Sequence, residues 1–232
     1  MAKQFIKKVA QLGGIDLKRH NRALDYYNNL YNKYMYFTMI PKDAFVNNLE
    51  LCSHFLNVEG DIVECGVWRG GMIAAMAELA GKKREIHLFD SFEGLPPAQQ
   101  IDGKEALAWQ ADTTSPGYHH NCTADESFAI AALKKAEHDN YQLYKGWFQT
   151  TLHIYKGNKI AILRLDGDWY DSVKECLVKL FPLVVEGGAV IIDDYYTWDG
   201  CAKAVHDYLS EVKSPARVHQ WNNQVAYIIK KN

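Results

Sequence analysis

From Asp61 to the end of the chain, short apolar runs alternate with amphipathic stretches. The apolar runs fall at residues 62–65, 86–89, 141–144, 160–165 and 189–192, near Val218, and at 225–229. Each has the length of a buried strand. The stretches between them carry helical spacing, at 72–80, 127–137, 172–185 and 201–212. In the third, Val173, Leu177, Leu180 and Val184 recur at i, i+4, i+7 and i+11, which is one face of an amphipathic helix. Strands alternating with helices predict an α/β fold, with a mostly parallel sheet covered on both faces. Two strand candidates closely follow the last helix, which predicts an antiparallel pair at the sheet edge.

The pattern before Asp61 is different. Residues 25–40 read DYYNNLYNKYMYFTMI, with Tyr27, Leu30, Tyr31 and Tyr34 at helical spacing, and end at Pro41. A second helix is expected over 42–56, with Phe45, Leu49, Cys52 and Leu56 on one face. Residues 1–58 therefore read as an N-terminal helical arm on a domain covering 59–232. Its tyrosines suit either stacking on a ligand ring or packing between subunits. The polar stretch from about 92 to 126 is too long for an ordinary connection and reads as a structureless lid after a strand's carboxyl end.

Composition removes several classes of partner. The formal net charge of 232 residues is -2, so nothing points to nucleic acid or an anionic membrane. No apolar run reaches the ~18 residues that span a bilayer, and the first eleven residues show no export leader. Five cysteines without a CxxC pair read as free thiols, which suits the cytoplasm.

The chemistry sits at the strand ends. The sequence DIVECGVWRGG places Glu64 at the end of a strand, then a turn of Gly66, Val67, Trp68, Arg69, Gly70 and Gly71 opening a helix. Glycines let backbone approach a ligand closely. The turn is not the GxGxxG of pyrophosphate binders. A carboxylate beside it suits an ammonium group instead. Asp90 ends the next strand, placed to accept hydrogen bonds from ribose hydroxyls. Together these suit a nucleoside with an amino-acid tail, and S-adenosylmethionine is such a ligand. The competing role for Asp90 is to cap the next turn, and for the glycines to serve strand–helix packing. Two further strands end in LDGD and IIDD. Neighbouring parallel strands would gather Asp166, Asp193 and Asp194, whose mutual repulsion calls for a cation. Oxygen-only ligands suit Mg²⁺ or another hard divalent ion.

The segments DIVECGVWRGG, LFDSFEGLP, KGWFQTTL, LRLDGDWYDS and GGAVIIDDYYTWDGCAKAV resemble the macrocin O-methyltransferase family over about residues 60–210. That family includes the mycinamicin and novobiocin sugar methyltransferases. The resemblance implies a class I methyltransferase fold with a seven-stranded sheet, S-adenosylmethionine, Mg²⁺, and a homodimer or larger assembly. By motif, Glu64 and the 66–70 turn would face the methionine part, and Asp90 and Ser91 the ribose. Gly146, Trp147 and Phe148 would lie near the adenine. Asp166 would border the cofactor and, with Asp193 and Asp194, hold the metal, while Asp168 matches the general base. His87, His119, His120 and His206 are weaker candidates for that role. The acceptor is expected to be a hydroxyl of a sugar or glycosylated small molecule. A catechol or amine acceptor, a nicotinamide oxidoreductase and a non-catalytic binding protein are the alternatives.

Overall fold

A computed structural model describes residues 22–231; the expectation about the first eleven residues lies outside them. Seven strands form one sheet: β1 Asp61–Cys65, β2 Ile86–Asp90, β3 Tyr141–Lys145, β4 Ile160–Leu165, β5 Val184–Ile192, β6 Val218–Trp221 and β7 Val225–Ile229. Their order is β3-β2-β1-β4-β5-β7-β6. The first five are parallel, whereas β7 runs antiparallel to β5 and β6 antiparallel to β7. The register pairs Cys65 with both Phe89 and Leu165, and Leu165 with Ile192. Residues 66, 90, 166 and 193 consequently emerge side by side.

All residues of β4 are buried, as a strand covered on both faces requires. Ile62, Ile162 and Ile191 face one apolar layer; Val63, Leu163 and Val190 face the other. The first layer is completed by α1 Arg22–Tyr34, α2 Lys42–Ser53, α3 Gly71–Ala80 and, after α4 Lys104–Ala111, by α5 Glu126–Lys135. The second takes the short α6 Phe148–Thr151, α7 Tyr170–Leu180 and α8 Asp199–Glu211.

Of the differences from the sequence expectation, three have a clear physical cause. Helix α7 stops at Leu180, and Val184 already belongs to β5. Pro182 sits in the intervening 3₁₀ turn, where it cannot donate a helical hydrogen bond. Val184 still packs in the same layer as Val173 and Leu177, so the apolar spacing outlasts the helix. Helix α2 ends at Ser53. Beyond it the Leu56, Val58 and Gly60 carbonyls accept from the Arg84 guanidinium, which draws the chain out of the helix. The 92–126 segment is not structureless: it contains α4 between 3₁₀ turns at Gln100–Asp102 and Pro116–Tyr118.

The arm shares the domain's core. Tyr27, Leu30, Tyr34, Phe45 and Leu49 join the same buried cluster as Ile73 and Met76 of α3. The Tyr34 hydroxyl donates to Glu78 Oε2 at 2.5 Å. Leu49→Ala is accordingly expected to cost about 2–5 kcal/mol, read as a lowered denaturation midpoint at unchanged slope. A loss below about 1 kcal/mol would mean that the arm adds little to the core.

Candidate active site

The strand ends open onto a cavity of about 850 Å³. Its walls come from residues 37–41 of the arm, the turn after β1, the start of the lid at 94–96, and residues 220 and 223–225 of the last hairpin. Of the expected cofactor residues, Glu64, Gly66, Val67, Trp68, Asp90, Ser91, Trp147, Phe148 and Asp166 line it. Arg69, Gly70 and Gly146 are not part of that lining. Arg69 instead lies between the rings of Trp68 and Phe128, at 4.5 and 4.7 Å from their centroids.

The turn glycines answer to protein neighbours. A Cβ on Gly66 would fall 1.7 Å from the Asp166 carbonyl oxygen, and φ at Gly66 is +88°. On Gly70 it would strike the backbone of Ala129 in α5, and on Gly71 the backbone of Phe37 in the arm. These contacts bring β1 against the end of β4, and α3 against α5 and the arm. Gly66 and Gly71 also line the cavity, so this packing stands beside the ligand-approach role read from the sequence. Asp90 likewise has a structural duty: Oδ2 accepts from the amides of Val67 and Trp68 at 2.7 Å each, and Oδ1 from Phe92 at 2.6 Å. It lines the cavity while fixing both turns.

At the centre lies Arg164, a fully buried cation in β4. Its Nη1 donates to Glu64 Oε1 at 2.7 Å and to Asp166 Oδ2 at 2.8 Å. Its Nη2 lies 2.5 Å from Asp193 Oδ1, and Nε donates to Asn48 Oδ1 of α2 at 3.3 Å. Sequence reasoning missed both Arg164 and Asn48. The available signal was a single charge inside the otherwise apolar IAILRL run.

The acids are grouped somewhat differently from the expected trio. Asp166, Asp168 and Asp194 bring carboxylate oxygens within 4.8 Å of one another, whereas Asp193 is turned onto Arg164. Asp194 Oδ2 accepts from the Asp168 amide at 3.2 Å. Trp198 Nε1 donates to Asp168 Oδ1 at 2.9 Å, and φ at Asp168 is +55°, a costly conformation for a non-glycine residue. Burial, then the charge of Asp166, pushes Asp168 up to about 8. Burial and Asp193 push Asp166 up to about 6, despite Arg164. Burial and Asp168 hold Asp194 well above the usual carboxylate range. Glu64 is also raised, chiefly by burial. Its Oε2, like Trp68 Nε1, is buried without a partner among the described residues.

The lid is pinned over these acids. Trp109 of α4 meets Trp169 and Trp198 edge-on at 6.1 and 6.0 Å. Asp102 Oδ1 accepts from the Tyr170 amide at 2.7 Å, capping α7. His119 stacks edge-on against Trp68 at 6.1 Å. His120 and His206 are not among the cavity residues, and His87 lies in the interior of β2, on the far side of the strand from these ends.

A seven-stranded sheet of this order, with acids at four adjacent strand ends around one cleft, defines a class I methyltransferase fold. The family model for macrocin O-methyltransferase matches residues 14–230, and the chain belongs to that family. It is 34% identical over 174 residues to the 8-demethyl-8-(2,3-dimethoxy-alpha-L-rhamnosyl)-tetracenomycin-C 4'-O-methyltransferase of Streptomyces olivaceus, covering 70% of this chain and 64% of the relative. It is 32% identical to the demethyldecarbamoylnovobiocin O-methyltransferase of Streptomyces niveus, covering 66% and 59%. The matches thus span less than two thirds of these relatives' lengths. The solved O-methyltransferase NovP superposes with a TM-score of 0.71 at 26% identity, covering 84% of this chain and 83% of that one. No helix among the described residues is long and apolar enough to cross a membrane.

Carboxylates raised by burial and by one another lower stability as they ionise. Between the ordinary range near about 4 and about 8 for Asp168, the folded chain retains protons that the unfolded chain has released. Stability must therefore fall as pH rises through that window. Thermal melts in chelator are expected to show that fall, with a shallower slope in Asp168→Asn. Added Mg²⁺ should flatten it by binding the ionised cluster; equal slopes in all three samples would count against the electrostatic reading.

Proposed function

We propose that the chain transfers the sulfonium methyl of S-adenosylmethionine to a hydroxyl of a sugar-bearing small molecule, with a divalent cation, Mg²⁺ or an equivalent, at the acid cluster. The observation that carries this reading is the charge balance at the strand ends. Three carboxylates, Glu64, Asp166 and Asp193, share the single Arg164 guanidinium, and Asp168 and Asp194 cluster with Asp166. Their oxygen-only donors fit a hard divalent cation. The S. olivaceus and S. niveus relatives are named for O-methylation of a rhamnosyl tetracenomycin and of a novobiocin precursor, which supports a sugar-bearing acceptor. The location is expected to be the cytoplasm, and the assembly a homodimer or larger.

The unpartnered Oε2 of Glu64 is suited to the ammonium of the methionine part, Asp90 and Ser91 to the ribose, and Trp147 and Phe148 to the adenine. Asp166, Asp193 and Asp194 would hold the cation, Asp193 while its Oδ1 remains on Arg164. Bound there, a divalent ion would lower the pKa of an acceptor hydroxyl and fix its position. Asp168 would accept the proton: one oxygen is fixed by Trp198, which orients the carboxylate in the cavity it lines, as a general base requires. The arm, lid and last hairpin exclude water and hold the acceptor oxygen in line with methyl carbon and sulfur.

The test is methyl transfer to a panel of glycosylated acceptors, with Mg²⁺ or with chelator, alongside calorimetry of S-adenosylhomocysteine. Asp168→Asn should lower kcat by about 10²–10⁴-fold while keeping S-adenosylhomocysteine and cation affinity. Loss of cation binding in that variant would move Asp168 into the ion-holding set. Full magnesium-dependent turnover in Asp166→Ala and Asp193→Ala would contradict the metal assignment.

A further inference from the structure

A second group of ligating side chains lies at the amino end of the sheet, away from the catalytic cleft. Asp61 is the first residue of β1, Glu85 directly precedes β2, and His87 is the second residue of β2. One oxygen each from Asp61 and Glu85 and one nitrogen from His87 lie within 4.8 Å of one another. The His87 side chain is fully buried, and its Nε2 has no hydrogen-bond partner among the described residues. That nitrogen is 3.4 Å from Asp61 Oδ2 and 3.7 Å from Glu85 Oε1. Both separations are long for a hydrogen bond. They are close to the edge of a tetrahedron with metal–ligand bonds of about 2.0–2.2 Å, which is about 3.3–3.6 Å.

The surrounding groups are arranged as supports for ligands. The Tyr155 hydroxyl donates to Asp61 Oδ2 at 2.8 Å. His87 Nδ1 lies 3.2 Å from the Tyr144 hydroxyl oxygen, which also accepts from the Lys156 amide at 3.2 Å. With Nδ1 protonated and donating to Tyr144, Nε2 presents its lone pair to the two carboxylates. Tyr155 meets the His87 ring edge-on at 4.7 Å and helps to fix its plane. The nearby Arg84 guanidinium is held by three backbone carbonyls, so two carboxylates face one cation and the group keeps a net negative charge. The Asp61 and Glu85 side chains are 19% and 38% exposed, which gives an ion a way in and leaves a fourth position for water.

We infer that Asp61, Glu85 and His87 form a binding site for a zinc-class divalent cation, a structural clamp joining the amino ends of β1 and β2. One imidazole with two carboxylates suits Zn²⁺, or Co²⁺ as its spectroscopic substitute, better than Mg²⁺. This difference separates the clamp from the oxygen-only acids of the cleft. The proposal does not depend on the methyl-transfer reading.

The experiment titrates the full chain with Co²⁺ under excess Mg²⁺, which saturates the oxygen-only cluster, and follows visible absorption and equilibrium dialysis. Wild type is expected to take up one Mg²⁺-resistant Co²⁺ with the intense visible bands of tetrahedral coordination, displaced by Zn²⁺. Glu85→Gln and His87→Gln should each weaken that binding by more than about tenfold. Glu85 is partly exposed, so its variant keeps the test valid if the His87 variant fails to fold. No Mg²⁺-resistant Co²⁺ in wild type, or equal binding in Glu85→Gln, would overturn the inference.

Discussion

The buried Arg164 guanidinium and the carboxylates it holds are the constraint on which the rest of the site depends. A cation in the middle of an all-buried strand is tolerable only if paired and hydrogen-bonded. Arg164 is hydrogen-bonded to Glu64 from β1, Asp166 from the end of β4 and Asn48 from α2, while Nη2 makes an ion contact with Asp193 from the end of β5 but no hydrogen bond among the described residues. It thereby ties three strand ends and the arm to one point. The same pairing is incomplete, because the acids outnumber it. Burial, and then the charge of neighbouring acids, raises Glu64, Asp166, Asp168 and Asp194 above the usual carboxylate range.

Topology delivers this arrangement with little local strain. The register that sets Cys65 beside Leu165, and Leu165 beside Ile192, puts successive acids one strand spacing apart at the carboxyl edge. At this edge the turns just beyond the strands carry strain, where Trp68, Phe92 and Asp168 adopt positive φ, as do His119 to Cys122 in the lid and Asn222 and Asn223 in the last hairpin. Asp90 holds the first two turns through their amides, and Trp198 holds the third through Asp168. The cleft is then walled by segments anchored to the domain: α1 and α2 through the core layer they share with α3 and the sheet, and the lid through the Trp109–Trp169–Trp198 group.

The alternation of strands and helices was legible in the sequence because buried parallel strands must be continuously apolar, and the acids at their ends break that rule visibly. Glu64, Asp90, Asp166, Asp193 and Asp194 could be placed on one edge for that reason. Arg164 could not, since its partners Asn48 and Glu64 are 116 and 100 residues away, and only the assembled sheet brings them together. The packing role of the glycine turn could not be read along the chain: Gly66, Gly70 and Gly71 make room for Asp166, Ala129 and Phe37, which lie far away in sequence. Helix α4 was read as loop because it buries only Ala106, leaving no apolar stripe to detect. Val184 extended a helical pattern into a strand because both elements feed the same core layer.

The most direct test of the account is where a divalent cation settles among these acids. Crystals grown with Mn²⁺ and S-adenosylhomocysteine, read by anomalous scattering, are predicted to show one ion against Asp166, Asp193 and Asp194, with Arg164 still paired to Glu64. No anomalous peak at the carboxyl edge, with the five acids arranged as they are without an ion, would contradict it.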